Sequence, residues 1–178
     1  MVTTKIPEVK IIEPTVFEDG RGFFFESFNH KKFEEEVGYN VRFVQDNFSK
    51  SNKDVLRGLH YQIQPKAQGK LIYVAHGEIF DVAVDIRKNS KTHGHWVGTV
   101  LSSVNKRQLW IPEGFAHGFL TMSDEAKVIY KVTEYYHPKY ERSVSWDDSS
   151  LKINWPIQNP ILSNRDLMAK PFLMADYA

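Results

Sequence analysis

The stretch FDVAVDI, residues 80–86, alternates strictly between two kinds of side chain. Successive side chains of an extended strand point to opposite faces, so the phenylalanine, the two valines and the isoleucine share one face. The other face carries Asp81, Ala83 and Asp85. An apolar period of two along such a run is typical of a β-strand with one covered face.

Further strand-like runs lie on both sides of this stretch, and turn residues separate them. They cover residues 9–12, 22–28, 42–48, 70–75, 97–103, 107–111, 118–122 and 127–135. Many short strands with few helices predict an all-β sandwich, jelly roll or barrel.

Two segments depart from this pattern. A short helix is predicted over 30–37, with Asn29 as its N-cap and Gly38 just past its end. After Glu141 the strand pattern weakens and several prolines follow. We expect this last part to be an irregular tail packed on the main body.

The composition is that of an ordinary globular domain. Of the 178 residues, 42% are hydrophobic and 25% are charged, and 23 basic residues nearly balance 22 acidic ones. At roughly 150 residues per domain, this length predicts a single domain over 1–178. The net charge of +1 argues against nucleic acid or an anionic membrane surface as a partner.

The chain contains no cysteine, which excludes disulfides, thiolate nucleophiles and cysteine-ligated metal sites. This fits a reducing compartment, so we expect a cytoplasmic protein. The first residues lack the apolar core of a secretory signal. No apolar run approaches the ~20 residues of a membrane-spanning helix, and we expect no membrane association.

Four clusters are candidates for chemistry, and the first is DGRGFFFE, residues 19–26. Its three phenylalanines are predicted to be buried in a strand that follows a turn. Arg21 and Glu26 flank this apolar run, where charged side chains either face solvent or bind a ligand.

The second cluster joins QDN, residues 45–47, to VLRGLHYQ, residues 55–62. A regular strand places Arg57 with Leu59 and Tyr61 on one face, and His60 with Gly58 on the other. A glycine there indicates the close approach of a backbone or a ligand. A lone histidine in a strand is either a structural residue or a proton carrier that titrates near neutral pH.

The third and fourth clusters are QGK, ending at Lys70, and IPEGFAHGF, residues 111–119, with His117 after a turn. Lys70 is either a solvated strand end or a site residue, and His117 is either a turn cap or a site residue.

The pair His93 and His95 has the spacing of a metal site, but its neighbours are loop-like. A surface loop is the better prediction for that pair.

Together these clusters resemble the dTDP-4-dehydrorhamnose 3,5-epimerase family. The resemblance runs in order from about residue 5 to about residue 172, and it implies a cupin-type jelly roll that is usually a homodimer. The matching stretches are DGRGFFFESF (19–28), FVQDN (43–47), VLRGLHYQ (55–62), QGKLIYV (68–74), FDVAVDIRKNS (80–90), NKRQLWIPEGFAHGF (105–119), YKVTEYY (130–136) and INWP (153–156).

The resemblance also implies a role for each site residue. His60 matches the family's general base, Tyr130 its general acid, and Asp166 the carboxylate that pairs with the base. Arg57 and Lys70 match residues around the sugar ring and the phosphates. The other matched substrate contacts are Arg21, Glu26, Gln45, Asp46, Asn47, His117, Tyr136, Glu141 and Arg165. Among these, Tyr136 matches the aromatic residue that stacks on thymine, and Arg165 stands where relatives commonly carry lysine.

These residue types suit epimerisation beside a ketone, because a proton leaves one face of the ring and another returns to the opposite face. His60 can accept a proton and Tyr130 can donate one, while the Lys70 cation stabilises the enolate between the two steps. The ketone supplies the acidity, so we expect no cofactor. Metal-binding cupins carry an H-x-H pair, a glutamate and a later histidine, whereas this chain has HYQ at 60–62, then Lys70 and His117. We therefore expect no metal.

The predicted activity inverts carbons 3 and 5 of dTDP-4-dehydro-6-deoxy-D-glucose, giving dTDP-4-dehydro-L-rhamnose for dTDP-L-rhamnose biosynthesis. The predicted partners are this 4-keto-6-deoxy sugar nucleotide and a second copy of the chain. The nearest alternative is an epimerase of another deoxysugar pathway that inverts only one carbon. A non-catalytic sugar-nucleotide-binding cupin and a metal-dependent cupin enzyme are alternatives from other classes.

Overall fold

The computed structural model describes residues 2–176, and its main feature is a sandwich of two antiparallel β-sheets. One sheet has six strands. In spatial order these are β1 (Val2–Thr3), β2 (Lys10–Ile12), β10 (Gln108–Ile111), β7 (Lys70–His76), β12 (Glu125–Val132) and β5 (Gln45–Asn52).

The facing sheet has five strands. In spatial order these are β13 (Glu141–Ser143), β6 (Leu56–Gln62), β11 (Phe115–Thr121), β8 (Glu78–Asp85) and β9 (Trp96–Ser102). A separate hairpin consists of β3 (Val16–Asp19) and β4 (Gly22–Phe25), and the helical elements are α1 (His30–Val37), α2 (Asn164–Leu167) and a 3-10 turn (Phe172–Met174). This is the predicted all-β, cupin-type jelly roll.

Within residues 2–176 no helix is long and apolar enough to cross a bilayer.

The alternating strand 80–86 is confirmed as β8, but its apolar face points away from the sandwich interior. Val82 and Val84 are fully buried beneath the C-terminal segment, where they form one cluster with Leu151 and Phe172. The inner face of β8 contributes Ala83 to the core between the sheets. The tail therefore covers an apolar surface, which explains why a segment without a strand pattern is held in place.

The predicted helix has the predicted ends. The side chain of Asn29 accepts a hydrogen bond from the backbone N–H of Lys32, and Gly38 follows the helix with a left-handed φ of 86°. The buried face of α1 packs Phe33 against Trp110, so the helix covers the outer side of the six-stranded sheet.

The other predicted strands occur in place, with shifted ends. The largest difference is β5, which continues through the polar sequence SKSN to Asn52 because its backbone pairs with β12 in unbroken register. The strands β3 and β13 and the short helix α2 were not predicted, since none of them has a clear apolar period.

The prediction that the phenylalanines of the first cluster are buried was wrong. Phe23 and Phe24 are 56% and 69% exposed, and Phe25 is half-buried. They lie on the β3–β4 hairpin, which forms a sheet of its own. A two-stranded hairpin has no second layer of its own to bury both faces.

The prediction that Arg57 shares a face with Leu59 and Tyr61, opposite His60, was also wrong. The pairing of β6 with β11 shifts register between His117 opposite His60 and Phe119 opposite Arg57, so three residues of β6 span two of β11. This bulge puts Arg57 and His60 on the same, inward face. The predicted close approach at Gly58 is confirmed, because a Cβ there would lie 2.5 Å from the Cα of Gly118.

The packing of the tail leads to a stability prediction. Phe172→Ala is expected to lower the free energy of unfolding by about 3–5 kcal/mol, because Phe172 is 4% exposed in the cluster beneath the tail. The neighbouring Leu173 is 82% exposed, so Leu173→Ala should change stability by no more than about 0.5 kcal/mol. Denaturant unfolding of both variants measures this difference, and equal losses would contradict the proposed docking of the tail.

Candidate active site

The centre of the site is a histidine–carboxylate pair that joins the main body to the tail. His60 projects from β6, and its Nε2 lies 2.5 Å from Oδ1 of Asp166 in α2. The Asp166 side chain is 3% exposed, against 28% for His60, so the carboxylate is covered while the imidazole reaches the surface of the cleft. This geometry leaves Nδ1 of His60 as the ring nitrogen that is not engaged by Asp166.

A serine at the start of α2 holds the carboxylate in this position. Ser163 is the N-cap, and its Oγ donates to Oδ2 of Asp166 at 2.8 Å while accepting from the Asp166 backbone N–H at 3.1 Å. Burial raises the pKa of Asp166, but the hydrogen bonds from His60 and Ser163 more than offset this and lower it overall. Asp166 is therefore ionised at neutral pH.

Lys70 and His117 lie buried beside this pair. Lys70 is the first residue of β7, and its Nζ donates to the backbone carbonyl oxygen of His60 at 3.2 Å. Burial lowers the pKa of Lys70 to about 8, although the negative charges of Glu141 and Asp81 act in the opposite direction. A buried ammonium group of this kind is a strong local positive charge that water screens little.

His117 is paired with Asp81, a residue that sequence reasoning did not select. His117 Nε2 lies 3.0 Å from each carboxylate oxygen of Asp81, and both side chains are almost fully buried. Burial lowers the pKa of His117, and the pull of Asp81 in the other direction is not sufficient to restore it. Asp81 stands on the polar face of the alternating stretch 80–86, and a carboxylate on the inner face of a strand is the signal that could have identified it.

Tyr130 approaches from the other sheet. It lies on β12, opposite Asn47 of β5, and packs partly buried against the core. Burial raises the pKa of its phenol, while the nearby Arg57 cation lowers it and Glu141 raises it further. The phenol is thus protonated at neutral pH, as a proton donor must be.

Polar residues from β5, β13 and α2 form a rim beside these groups. Arg165 pairs with Glu141 at 2.7 Å, and the neighbouring Glu141 carboxylate raises the pKa of the Tyr136 phenol. The backbone N–H of Tyr136 donates to the side chain of Gln45, whose amide donates to Asn47 at 2.8 Å. These hydrogen bonds connect the rim residues into one network.

Three of the predicted substrate contacts lie elsewhere in the chain. Asp46 points to the opposite side of β5 from Asn47 and pairs with Lys131 at 2.8 Å. Arg21 is 91% exposed in the β3–β4 turn, where its ion-pair partner is Asp19. Glu26 follows the same hairpin and bonds to Asn29 and Lys32 beside α1.

The histidines of the predicted surface loop do not form a pair. Both lie in the turn between β8 and β9, where the His93 ring packs on Phe172 and His95 is exposed. Across residues 2–176, no three His, Cys, Asp or Glu side chains are grouped in a way that could hold a metal ion.

The fold is a jelly roll in which His60 and Tyr130 are carried by facing sheets, an arrangement that suits an enzyme of proton transfer. The family model described as dTDP-4-dehydrorhamnose 3,5-epimerase matches residues 3–173. The chain therefore belongs to the dTDP-4-dehydrorhamnose 3,5-epimerase family and is an isomerase.

Individual relatives agree with this assignment. The dTDP-4-dehydrorhamnose 3,5-epimerase of Shigella flexneri is 60% identical over 177 residues, which is 99% of this chain and 98% of that protein. The Legionella pneumophila epimerase, crystallised with dTDP-4-keto-L-rhamnose, is 55% identical with a TM-score of 0.95, over 98% of this chain and 93% of that one. A 3′-monoepimerase from Streptomyces bikiniensis is more distant, at 31% identity and a TM-score of 0.91, over 97% of this chain and 88% of that one.

The environment of Lys70 can be tested by titration. We expect its ammonium group to lose its proton near pH 8, because burial outweighs the stabilising charge of Asp81. Asp81→Asn should move this pKa lower, since it removes a negative charge that favours the ammonium form. NMR of labelled lysine, assigned with a Lys70→Arg variant, measures the change. Asp46→Asn is the control on the other face of the sheet, and a Lys70 that titrates like a solvated lysine would contradict the burial argument.

Proposed function

We propose that the chain inverts carbons 3 and 5 of dTDP-4-dehydro-6-deoxy-D-glucose to give dTDP-4-dehydro-L-rhamnose. The observation that supports this most directly is the placement of His60 with Asp166 on one sheet and Tyr130 on the facing sheet. An inversion needs a proton acceptor and a proton donor on opposite faces of the sugar ring, and this arrangement supplies one from each side. The single-domain organisation over 1–178 and the cytoplasmic location stay predictions from the sequence.

His60 acts as the base in the proposed mechanism. Because the Asp166 carboxylate can only accept, His60 carries its proton on Nε2 and is left with a lone pair on Nδ1. Nδ1 removes the proton from the carbon beside the ketone, and the electrons of that C–H bond form the enolate. The resulting imidazolium is stabilised by Asp166, which stays ionised.

Lys70 and Tyr130 complete each inversion. The buried Lys70 cation stabilises the enolate oxygen, which carries the negative charge between the two steps. Tyr130 then delivers its phenolic proton to the same carbon from the opposite face, so the configuration changes and the ketone re-forms. His60 then releases its proton to water and Tyr130 takes one up from water, which restores both groups. The same sequence of steps can therefore serve both carbons, because each is adjacent to the ketone.

The rim residues are proposed to bind the nucleotide. Arginine forks suit the diphosphate because they can contact two oxygens at once, and Arg57 on β6 and Arg165 in α2 are the candidates. Tyr136 is half-exposed beside Arg165, where its ring can stack on thymine. Inversion of both carbons is favoured over one by the 60% identity to a 3,5-epimerase, compared with 31% to a 3′-monoepimerase.

The function is tested by hydrogen exchange. In deuterated water the protein should introduce deuterium at both carbon 3 and carbon 5 of the 4-keto sugar nucleotide, because each inversion takes its new proton from solvent-exchangeable groups. NMR of the product distinguishes the two positions, and exchange at one carbon alone would contradict inversion of both carbons.

The role of His60 is tested by the variant His60→Ala. This variant should lose the hydrogen exchange, while its binding of dTDP, measured by calorimetry, should be largely retained. Full activity in the variant would refute the role of His60.

We also propose that the chain acts as a homodimer. The hairpin exposes Phe17 and Phe24, which are 63% and 69% exposed, and β5 at the edge of the six-stranded sheet exposes Phe48 at 64%. Exposed aromatic side chains beside an open strand edge favour association with a second chain. A partner hairpin lying near β5 would bring its Arg21 towards Asn47, which explains why Arg21 lies apart from the site of its own chain.

Mixing two inactive variants tests this arrangement. Arg21→Ala and His60→Ala should each be inactive or nearly so alone, because each lacks a group that every site needs. After mixing under subunit exchange, heterodimers should regain activity, since one of their two sites receives both native residues. The activity of the mixture and its mass by light scattering are the measurements. A mixture of dimers that stays as inactive as its components would show that Arg21 does not act across the interface.

A further inference from the structure

Two serines on β5 have buried hydroxyl groups but differ in their hydrogen bonds. Ser49 and Ser51 both face inward from this strand, but only Ser51 has a hydrogen-bond partner. The Oγ of Ser51 accepts from Nε of Arg57 at 2.9 Å, whereas the Oγ of Ser49 is buried without a partner among the described residues. Ser51 is thus the only one of the two that holds another side chain.

The hydrogen bond of Ser51 connects the two sheets. Arg57 belongs to β6 in the five-stranded sheet, and it reaches the six-stranded sheet through Ser51 and through the backbone carbonyl of Lys50, which accepts from Nη2 at 3.2 Å. Ser51 is 4% exposed while Arg57 is exposed. The buried hydroxyl of Ser51 therefore fixes the guanidinium of Arg57, whose side chain is exposed.

We propose that Ser51 is a positioning residue that holds the Arg57 guanidinium beside Tyr130. This inference rests on the proposed role of Tyr130 as the proton donor. Through Arg57, Ser51 sets the electrostatic environment in which the phenol gives up its proton.

The charges around Tyr130 support this. Tyr130 faces inward from β12, the strand that pairs with β5 and its Ser51. The charge of Arg57 favours the tyrosinate, whereas burial and Glu141 on β13 favour the phenol. The effect of a charge falls with distance and with exposure to water, so an Arg57 released from its anchor stabilises the tyrosinate less. The side chain of Arg57 has four rotatable bonds, and its orientation depends on the groups that it contacts.

The test compares Ser51→Ala with Ser49→Ala. Both remove one buried hydroxyl from the same face of one strand, but only Ser51→Ala removes one of the two hydrogen bonds that hold Arg57, leaving its bond to the Lys50 carbonyl. NMR of ring-labelled tyrosine, assigned with Tyr130→Phe, should show the titration of Tyr130 shifted to higher pH in Ser51→Ala and unchanged in Ser49→Ala. kcat/KM should fall by about ten-fold or more in Ser51→Ala, as for the loss of a hydrogen bond to a charged group. Ser51→Thr, which keeps the hydroxyl, should restore both quantities.

An unchanged Tyr130 titration in Ser51→Ala would overturn the inference, even if activity fell, because a merely structural role would lower activity without moving the titration. Equal effects of Ser51→Ala and Ser49→Ala would overturn it as well. The titration requires no substrate. A wild-type protein that fails to exchange hydrogen at the sugar refutes the proposed function, while the titration still reports separately whether Ser51 positions Arg57.

Discussion

The site depends on the contact between the backbones of β6 and β11 at Gly58 and Gly118. A side chain at either glycine would collide with the other strand, since the added Cβ would lie within about 3 Å of backbone atoms. The extra residue that β6 accommodates there turns Arg57 to the same face as His60. Without this bulge, strand alternation would place Arg57 on the outer face, and its side chain would not share the inward face with His60.

Buried charge is the second constraint. Lys70, Asp81 and Asp166 are each at most 7% exposed, and burying them unpaired would cost several kcal/mol each. The structure offsets this cost by placing opposite charges and hydrogen-bond donors together, with Asp81 on His117 and Asp166 between Ser163 and His60. The same pairs orient the two imidazoles, and the backbone carbonyl of His60 accepts a hydrogen bond from the Lys70 ammonium group. The contacts that offset the cost of burial therefore also orient the side chains of the site.

Apolar period and turn residues were sufficient to predict the β-rich fold, the capped helix α1 and the tail. These signals did not predict the face on which Arg57 lies, because a bulge depends on the pairing of two strands that are distant in sequence. They also failed for Phe24, because burial requires a second layer that a hairpin alone lacks. The grouping of His60, Lys70 and Tyr130 in one cleft came from family resemblance, since these residues lie on three different strands. Asp81 and Ser163 had local signals, respectively an inward carboxylate and an S-x-x-D cap.

The hydrogen bond between His60 and Asp166 joins residues that are 106 positions apart, and α2 follows the last strand of both sheets. During synthesis, both sheets can be complete before the carboxylate leaves the ribosome, because the last strand, β13, ends at Ser143. A chain elongated as far as Ser143 contains every strand of both sheets but not the carboxylate that pairs with His60. The order of synthesis therefore separates the strands of the sandwich from the contact between His60 and Asp166.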